Sequence, residues 1–399
     1  MKSAWNEFCL SYVEVELKTE TQAISRARLG RARARLLEWY DANRRDLPWR
    51  RSDDPYAIWV SETMLQQTRV DTVIPYYTRF LECFPDLASL AEAELESVYG
   101  EWAGLGYYSR ARNLHRAAQR VVEEYDGRIP DETASLRRLE GVGRYTAGAV
   151  ASIAFDREEA AVDGNVIRVL SRFLGIRRNV GLPAVVEEFW SVASRLVSGP
   201  RPGDFNQALM ELGAMICTPR SPDCGQCPLK RSCDGRRRGD AENLPRKPAR
   251  PRPRRVEAVA AWIQRRGRAL AVRPAEGGLL GGLWTLPGGE LEPREGAEAG
   301  LKRNLSETLG LEFTNARAVG KIEHLFTHRR LRLHVFSCGE IHGRVRCRGF
   351  EAHRWLSPEA FAALPHGGPT RKALALLAEA DPVAGGKRVR LHEPGVQTP

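Results

Sequence analysis

From Arg31 to about Gly235 the apolar positions recur at helical spacing. Val166, Leu170, Phe173 and Leu174 fall on one face of such a pattern, and Tyr145 to Ala154 is rich in Ala and Gly around an apolar stripe, as in a tightly packed helix. No long alternation of apolar and polar residues interrupts this half, so it reads as all-α. Residues 236–255 break the pattern with nine Arg or Lys, four Pro and two acidic residues, the composition of a stiff, extended basic linker. After it the character changes. Val256–Ile263 and Leu331–Ser337 read as strands, Arg266-Gly267 sits where a hairpin would turn, and Leu301–Leu309 reads as helix. The expected organisation is an N-terminal extension (1–30), an all-α domain (31–235), the linker (236–255), a separate α+β domain (256–380) and a disordered tail (381–399). No internal repeat is visible.

Composition narrows the class. The chain has 399 residues, 42% hydrophobic and 28% charged, which is ordinary for a packed protein and excludes full-length disorder. No run of 18 apolar residues and no secretory signal pattern occurs, so neither a membrane span nor export is expected. A cytoplasmic, bacterial-type location follows as an expectation. Against 50 Asp and Glu stand 61 Lys and Arg, a net charge of +11, which favours a polyanionic partner.

Four of the eight cysteines are scattered (Cys9, Cys83, Cys338, Cys347). The other four crowd into Cys217-x6-Cys224-x2-Cys227-x5-Cys233. In a reducing compartment four thiolates within 17 residues suit a single zinc ion or one cubane cluster rather than disulfides.

Three further motifs carry chemistry. Leu139-Glu140-Gly141-Val142-Gly143-Arg144-Tyr145 has the form of a helix-hairpin-helix, in which Gly141 and Gly143 permit a tight turn and the next helix offers free N–H groups to a phosphate. Asp163, in Val162-Asp163-Gly164-Asn165-Val166, precedes an amphipathic helix and reads first as an N-cap. Glu62 stands among apolar neighbours in Trp59-Val60-Ser61-Glu62-Thr63-Met64-Leu65-Gln66-Gln67, a candidate buried carboxyl whose pKa is raised towards neutrality.

The cysteine spacing, the hairpin and the Val-Asp-Gly-Asn-Val segment together resemble the endonuclease III superfamily of DNA glycosylases. That resemblance implies a [4Fe–4S] cluster on Cys217, Cys224, Cys227 and Cys233. With Leu47-Pro48-Trp49-Arg50 before Glu62 and Gly104-Leu105-Gly106-Tyr107-Tyr108 after it, the chain more closely resembles the MutY adenine glycosylase family. By that resemblance Glu62 would protonate adenine and Asp163 would stabilise positive charge on the sugar, with Tyr145 and Asn165 ordering the site. Arg45, Trp49, Arg50 and Gln207 would line the base pocket, and Gln67 and Tyr107 would enter the duplex. Bifunctional members carry a lysine where this chain has Tyr145, so little strand-cleaving lyase activity is expected.

The C-terminal region resembles a Nudix domain. Gly289, Glu295, Arg303, Leu305, Glu307, Gly310 and Leu311 fit the Nudix box, but Asn304 and Thr308 replace two carboxylates that hold Mg²⁺ in the hydrolases. The implied outcome is a retained fold without phosphohydrolase activity, in which Phe326, Thr327 and His328 read 8-oxoguanine. The reading is therefore a monomeric, monofunctional adenine glycosylase acting on duplex DNA with A·8-oxoguanine or A·G mispairs. A mismatch-thymine or oxidised-pyrimidine glycosylase, a catalytically silent lesion-binding protein and a residual Nudix hydrolase are the rivals.

Overall fold

The computed structural model describes residues 24–248, 252–278 and 280–380. The expected disordered tail and most of the N-terminal extension lie outside the described residues. By contacts the chain divides into two units, one from Met1–Ala93 with Ser109–Ala249 and one from Glu94–Tyr108 with Arg250–Pro399. Among the described residues no helix is long and apolar enough to cross a membrane.

The first unit is helical. In chain order its elements begin with α1 (Arg26–Asn43), α2 (Pro55–Leu65), α3 (Val70–Cys83) and α4 (Leu87–Glu92), and α5 (Leu95–Trp102) falls to the second unit. The first unit resumes with α6 (Ser109–Glu124), α7 (Thr133–Leu136), α8 (Arg144–Phe155), α9 (Gly164–Leu174), α10 (Pro183–Val197), α11 (Pro202–Met215) and α12 (Asp234–Arg237). The start of α2 is written in the sequence: Asp54 accepts the Tyr56 N–H at 3.0 Å and Pro55 occupies the first turn. Every residue of α2 from Tyr56 to Met64 is buried, so this helix is a central rod and not a surface helix. Against it and α11 packs α8, whose Gly148 lies so close to the Ala160 carbonyl that a Cβ would stand 2.0 Å from the oxygen. The apolar face of α9 delivers Val166, Leu170 and Phe173 to a core with Leu36, Tyr40, Phe189, Phe205 and Leu209.

The helical unit extends through residues expected to form a free linker. Leu244 is buried, its carbonyl accepts Arg172 Nε at 2.9 Å, and Val180 N–H donates to the Arg246 carbonyl. A buried leucine and a guanidinium partner hold residues 236–248 on this body, where composition alone suggested an extended spacer. Helix α1 likewise begins at Arg26, inside the expected extension, because Ser25 caps it.

In the second unit the elements are β1 (Arg254–Arg265), β2 (Arg268–Arg273), β3 (Gly288–Glu290), α13 (Ala297–Leu309), β4 (Glu312–Leu325), β5 (Arg329–His342), β6 (Ala352–Leu356), α14 (Pro358–Ala363) and α15 (Gly368–Ala380). The sheet runs β4-β5-β1-β2-β6, with β3 also on β1; β1 and β5 are parallel and the other pairs antiparallel. Arg266 (φ 52°) and Gly267 (φ 73°) form the two-residue turn between β1 and β2 that the sequence suggested. Strand β1 is apolar on both faces because both are covered: Ala258, Ala260 and Trp262 meet Phe361 and Ala373, while Val259, Ala261 and Ile263 meet Leu301, Leu305 and Leu309.

Segment 94–108, read from sequence as part of the helical domain, belongs by its contacts to this second unit. Glu96 of α5 accepts Trp284 Nε1 at 3.1 Å and an Arg354 guanidinium N–H at 2.8 Å, and Tyr108 donates its hydroxyl to the His366 carbonyl at 2.8 Å. Long-range polar partners of this kind leave no periodic trace in the local sequence.

Candidate functional site

A cavity of about 160 Å³ opens in the helical unit among α2, α8, α9, α11 and the Leu47–Arg50 turn. Glu62, Tyr145, Asp163, Asn165, Arg45, Trp49, Arg50 and Gln207 all line it, so eight of the expected residues converge on one place.

Glu62, on the last turn of α2, is 5% exposed. Burial pushes its carboxyl up to about 7; the Tyr145 hydrogen bond and Arg50 oppose that rise, and the negative charge of Asp163 adds to it. Tyr145 Oη donates to Glu62 Oε2 at 2.6 Å and also lies 3.2 Å from the Met210 sulfur. Burial and the two neighbouring carboxylates hold the Tyr145 phenol well above its usual range, so it remains a donor.

Asp163 performs the cap its sequence suggested and faces the cavity as well. Oδ1 accepts the Val166 N–H at 2.7 Å, at the start of α9, and Oδ2 accepts Asn165 Nδ2 at 2.8 Å. Burial raises its pKa, and the donors from Val166 and Asn165 and the charge of Arg168 resist the rise. The bonds continue outward: Arg168 donates to Asn165 Oδ1 and to the carbonyls of Gly213 and Cys217, all at 2.7–2.8 Å. One cavity thus holds a carboxyl poised to carry a proton near neutrality and a second carboxyl held by two donors.

The far wall contains a residue that the sequence reading missed. Glu211 accepts Arg45 Nε at 2.9 Å and Arg50 Nη1 at 3.0 Å on one oxygen, and a second N–H from each arginine on the other. Burial alone would raise this carboxyl, but the hydrogen bonds from Arg45 and Arg50 outweigh it and bring it to about 2. Arg50 Nε also donates to Gln207 Oε1 at 3.1 Å. Gln207, Met210 and Glu211 share a face of α11 at positions i, i+3 and i+4, a spacing that could have found the last two once Gln207 was named.

Gln67 and Tyr107 do not line the cavity. Gln67 is exposed in the turn after α2 at φ 60°. Tyr107 is 47% exposed at φ 47° and lies in the second unit, where its hydroxyl is 2.8 Å from Thr327 Oγ1. Thr327 sits with Phe326 and His328 at the tip of the β4–β5 hairpin, closed by the Phe326 N–H on the Arg329 carbonyl; the Phe326 ring meets His324 edge-on at 4.5 Å. In the α7–α8 hairpin, Gly141 adopts φ 75°, and a Cβ there would stand 2.7 Å from that of Asn113. Gly143 caps α8 without a side-chain bond, in open space, which leaves the first N–H groups of α8 available to an anion.

Cys217, Cys224, Cys227 and Cys233 are all half-buried free thiols. Arg172, fully buried, binds Cys217 O, Thr218 O and Pro219 O and approaches Cys217 Sγ at 3.3 Å. Four soft thiol donors within 17 residues, one of them beside the buried Arg172 cation, fit the chemistry of an anionic iron–sulfur group. Among the described residues no group of three or more His, Cys, Asp or Glu is drawn in as on one metal ion.

In the second unit Asn304 and Thr308 bond to the backbone of their own helix, Thr308 Oγ1 donating to the Asn304 carbonyl at 2.5 Å. Asn304 Nδ2 donates to Gly300 O at 2.8 Å, and Arg303 takes both oxygens of Glu295 at 2.7 Å.

Family comparisons agree with this layout. Residues 60–194 match the HhH-GPD superfamily base excision DNA repair protein model, 217–233 the iron-sulfur binding domain of endonuclease III, and 258–376 the NUDIX domain. Human adenine DNA glycosylase is 39% identical over 82% of this chain and 70% of its own length. The chain belongs to the adenine DNA glycosylase family. The Mus musculus adenine DNA glycosylase is 41% identical over 82% of this chain and 74% of its length, and that of Schizosaccharomyces pombe 36% identical over 77% and 81%. A solved thermostable thymine-DNA glycosylase is 30% identical over 53% of this chain and 98% of its own, with a TM-score of 0.49. As in the family models, this adenine DNA glycosylase family member pairs a helix-hairpin-helix domain bearing an iron–sulfur binding loop with a Nudix-like α+β domain.

Proposed function

We propose that the chain excises adenine mispaired with 8-oxoguanine, and with guanine, from duplex DNA in base excision repair. The observation that carries this reading is the pairing of Glu62, pushed up to about 7 by burial, with Asp163 in one cavity. A carboxyl whose burial favours the acid form and one whose Val166 and Asn165 donors favour the charged form suit an acid and an electrostatic stabiliser.

The base first leaves the stack, which costs a few kcal/mol and least at a mispair. Glu62 in its acid form gives a proton to the adenine ring. The N-glycosidic bond breaks, its electron pair leaves with the base, and the cationic sugar faces the Asp163 carboxylate. Water adds to the sugar and releases a proton. Tyr145 stands where a lyase would need an amine, and a phenol, having no nitrogen, forms no Schiff base, so the strand stays intact. Arg50, Gln207 and Trp49 shape the base pocket, and Gln67 and Tyr107 enter the duplex. The open N-terminus of α8 behind Gly143 takes a backbone phosphate. Phe326, Thr327 and His328 read the lesion. Cys217, Cys224, Cys227 and Cys233 would hold a [4Fe–4S] cluster, which when bound cross-links the 217–233 loop.

The decisive experiment is single-turnover base release from duplexes carrying A·8-oxoguanine, A·G, T·G, uracil·G or an oxidised pyrimidine, with and without alkali. Cleavage at A·8-oxoguanine that appears after alkali is the expected result. Release of thymine or an oxidised pyrimidine overturns the substrate, strand cleavage without alkali overturns the monofunctional reading, and release from no duplex leaves a lesion-binding protein.

A further inference from the structure

Helix α2 ends abruptly at a functional edge. Its last turn carries Glu62, and the next three residues make the turn that exposes Gln67. The last carbonyls of a helix lack partners within it and need donors from elsewhere. Here two of them, and the carbonyl of Gln66 just beyond, are met by one side chain from α6. Arg110 is 9% exposed. Its Nη1 donates to the carbonyls of Thr63 at 2.9 Å, Met64 at 2.8 Å and Gln66 at 2.6 Å, and its Nη2 to Thr68 Oγ1 at 3.2 Å.

The same turn is pinned on its other side. Gln66 Nε2 donates to Thr146 Oγ1 of α8 at 3.2 Å, and the Thr68 N–H donates to the Leu65 carbonyl at 3.3 Å. Gln67 is therefore the loose residue between two fastened ones. Its φ of 60° is a left-handed conformation that a side-chain-bearing residue adopts at some strain. Such a conformation persists where the surroundings over-determine it, and the contacts of Arg110 on both flanks of Gln67 do so. Arg110 is not among the residues lining the cavity, so it acts through others.

We infer that Arg110 is a positioning residue for base extrusion: its guanidinium fork holds the Gln66–Thr68 turn so that Gln67 is presented, preformed, to the duplex. The inference rests on the reading of Gln67 as the residue that enters the stack. Preorganisation matters because a free turn would spend part of its interaction with DNA on its own ordering. Lysine keeps the charge but lacks the second nitrogen that reaches Thr68 Oγ1 and the rigid plane that fixes the first against the carbonyls, so it cannot hold both flanks of Gln67 together.

The test compares Arg110→Lys with the unaltered chain on two DNAs. One holds the target adenine in an A·G duplex with 2-aminopurine on its 3′ side; the other holds it in a single-nucleotide bulge, already out of the pair. With an unchanged melting temperature, Arg110→Lys should release adenine about tenfold or more slowly from the duplex at saturating enzyme and lose the 2-aminopurine rise, while staying within about threefold on the bulge. Equal losses on both DNAs, which a merely structural role would produce, or no loss on either, overturn the inference. Should Arg110→Lys fold poorly, Thr68→Val removes one of its acceptors at near-constant shape and should give a smaller split in the same direction; no split overturns it. Gln67→Ala separates the layers. If Gln67→Ala shows no split, the reading of Gln67 fails; if it splits and Arg110→Lys does not, the role given to Arg110 fails alone.

Discussion

The Tyr145 hydroxyl donates a hydrogen bond to Glu62 Oε2 at 2.6 Å, inside the cavity that Asp163 also faces. The residue standing where a bifunctional enzyme would carry its amine is thus the hydrogen-bond partner of the proposed acid. It works against burial: the desolvated carboxyl rises to about 7, and the phenol favours its charged form. Base release needs Glu62 protonated, so its rate should be high below about 7 and fall as pH rises through that value. Tyr145→Phe removes the donor that favours the carboxylate, and the falling limb should move up by about one unit. Single-turnover rates from pH 5 to 9 check this, and a limb that stays in place contradicts the assignment.

Asp163→Asn should lower adenine release by at least about 10³-fold while duplex affinity changes little, since a fixed charge at a developing cation is commonly the largest catalytic contribution. The cap on Val166 survives in part, because Asn is also a good N-cap. Single-turnover kinetics beside a binding titration decide it; near-normal turnover refutes the role of Asp163.

Glu211→Gln should destabilise the helical unit, because Arg45 and Arg50 then lose their shared buried carboxylate. The sign follows from a folded pKa of about 2 against an ordinary 4.5: the stabilisation is full above 4.5 and is lost as pH falls towards 2. A loss of about 2–3 kcal/mol is expected at pH 7, narrowing on acidification. Denaturant titrations at pH 7 and pH 3.5 test it, and a loss equal at both would show that the charge is not responsible.

Replacing Phe326, Thr327 and His328 together should reduce the preference for adenine opposite 8-oxoguanine over adenine opposite guanine. Tyr107→Phe, which deprives Thr327 Oγ1 of a hydroxyl 2.8 Å away, should do so more weakly. The measurement is the ratio of single-turnover rates on the two duplexes; an unchanged ratio in the triple variant removes these residues from lesion reading.

Purified protein should contain about four iron and four sulfide per chain, as four thiolate ligands suit a cubane cluster. Elemental and sulfide analysis settles the number, and zinc in place of iron would overturn it.

Much of this was legible in the residues taken in order. Arg266-Gly267 announces the β1–β2 turn, and the spacing of Val166, Leu170 and Phe173 the buried face of α9. Each depends on backbone geometry over a few positions, which local chemistry dictates. The family resemblance, itself a matter of short motifs, named eight residues that the fold brings to one cavity. What required the tertiary structure was every partner distant in sequence. Glu211 on Arg45 and Arg50, Arg110 on the end of α2, Glu96 on Trp284 and the return of Leu244 to Arg172 join residues between 44 and 188 positions apart. Whether a charged side chain is solvated or buried against such a partner is decided by the packing of elements around it. So the sequence by itself determined the elements and the chemical types present, while only the assembled fold decided which carboxyl is pushed up, which is held down, and which arginine stands behind the turn.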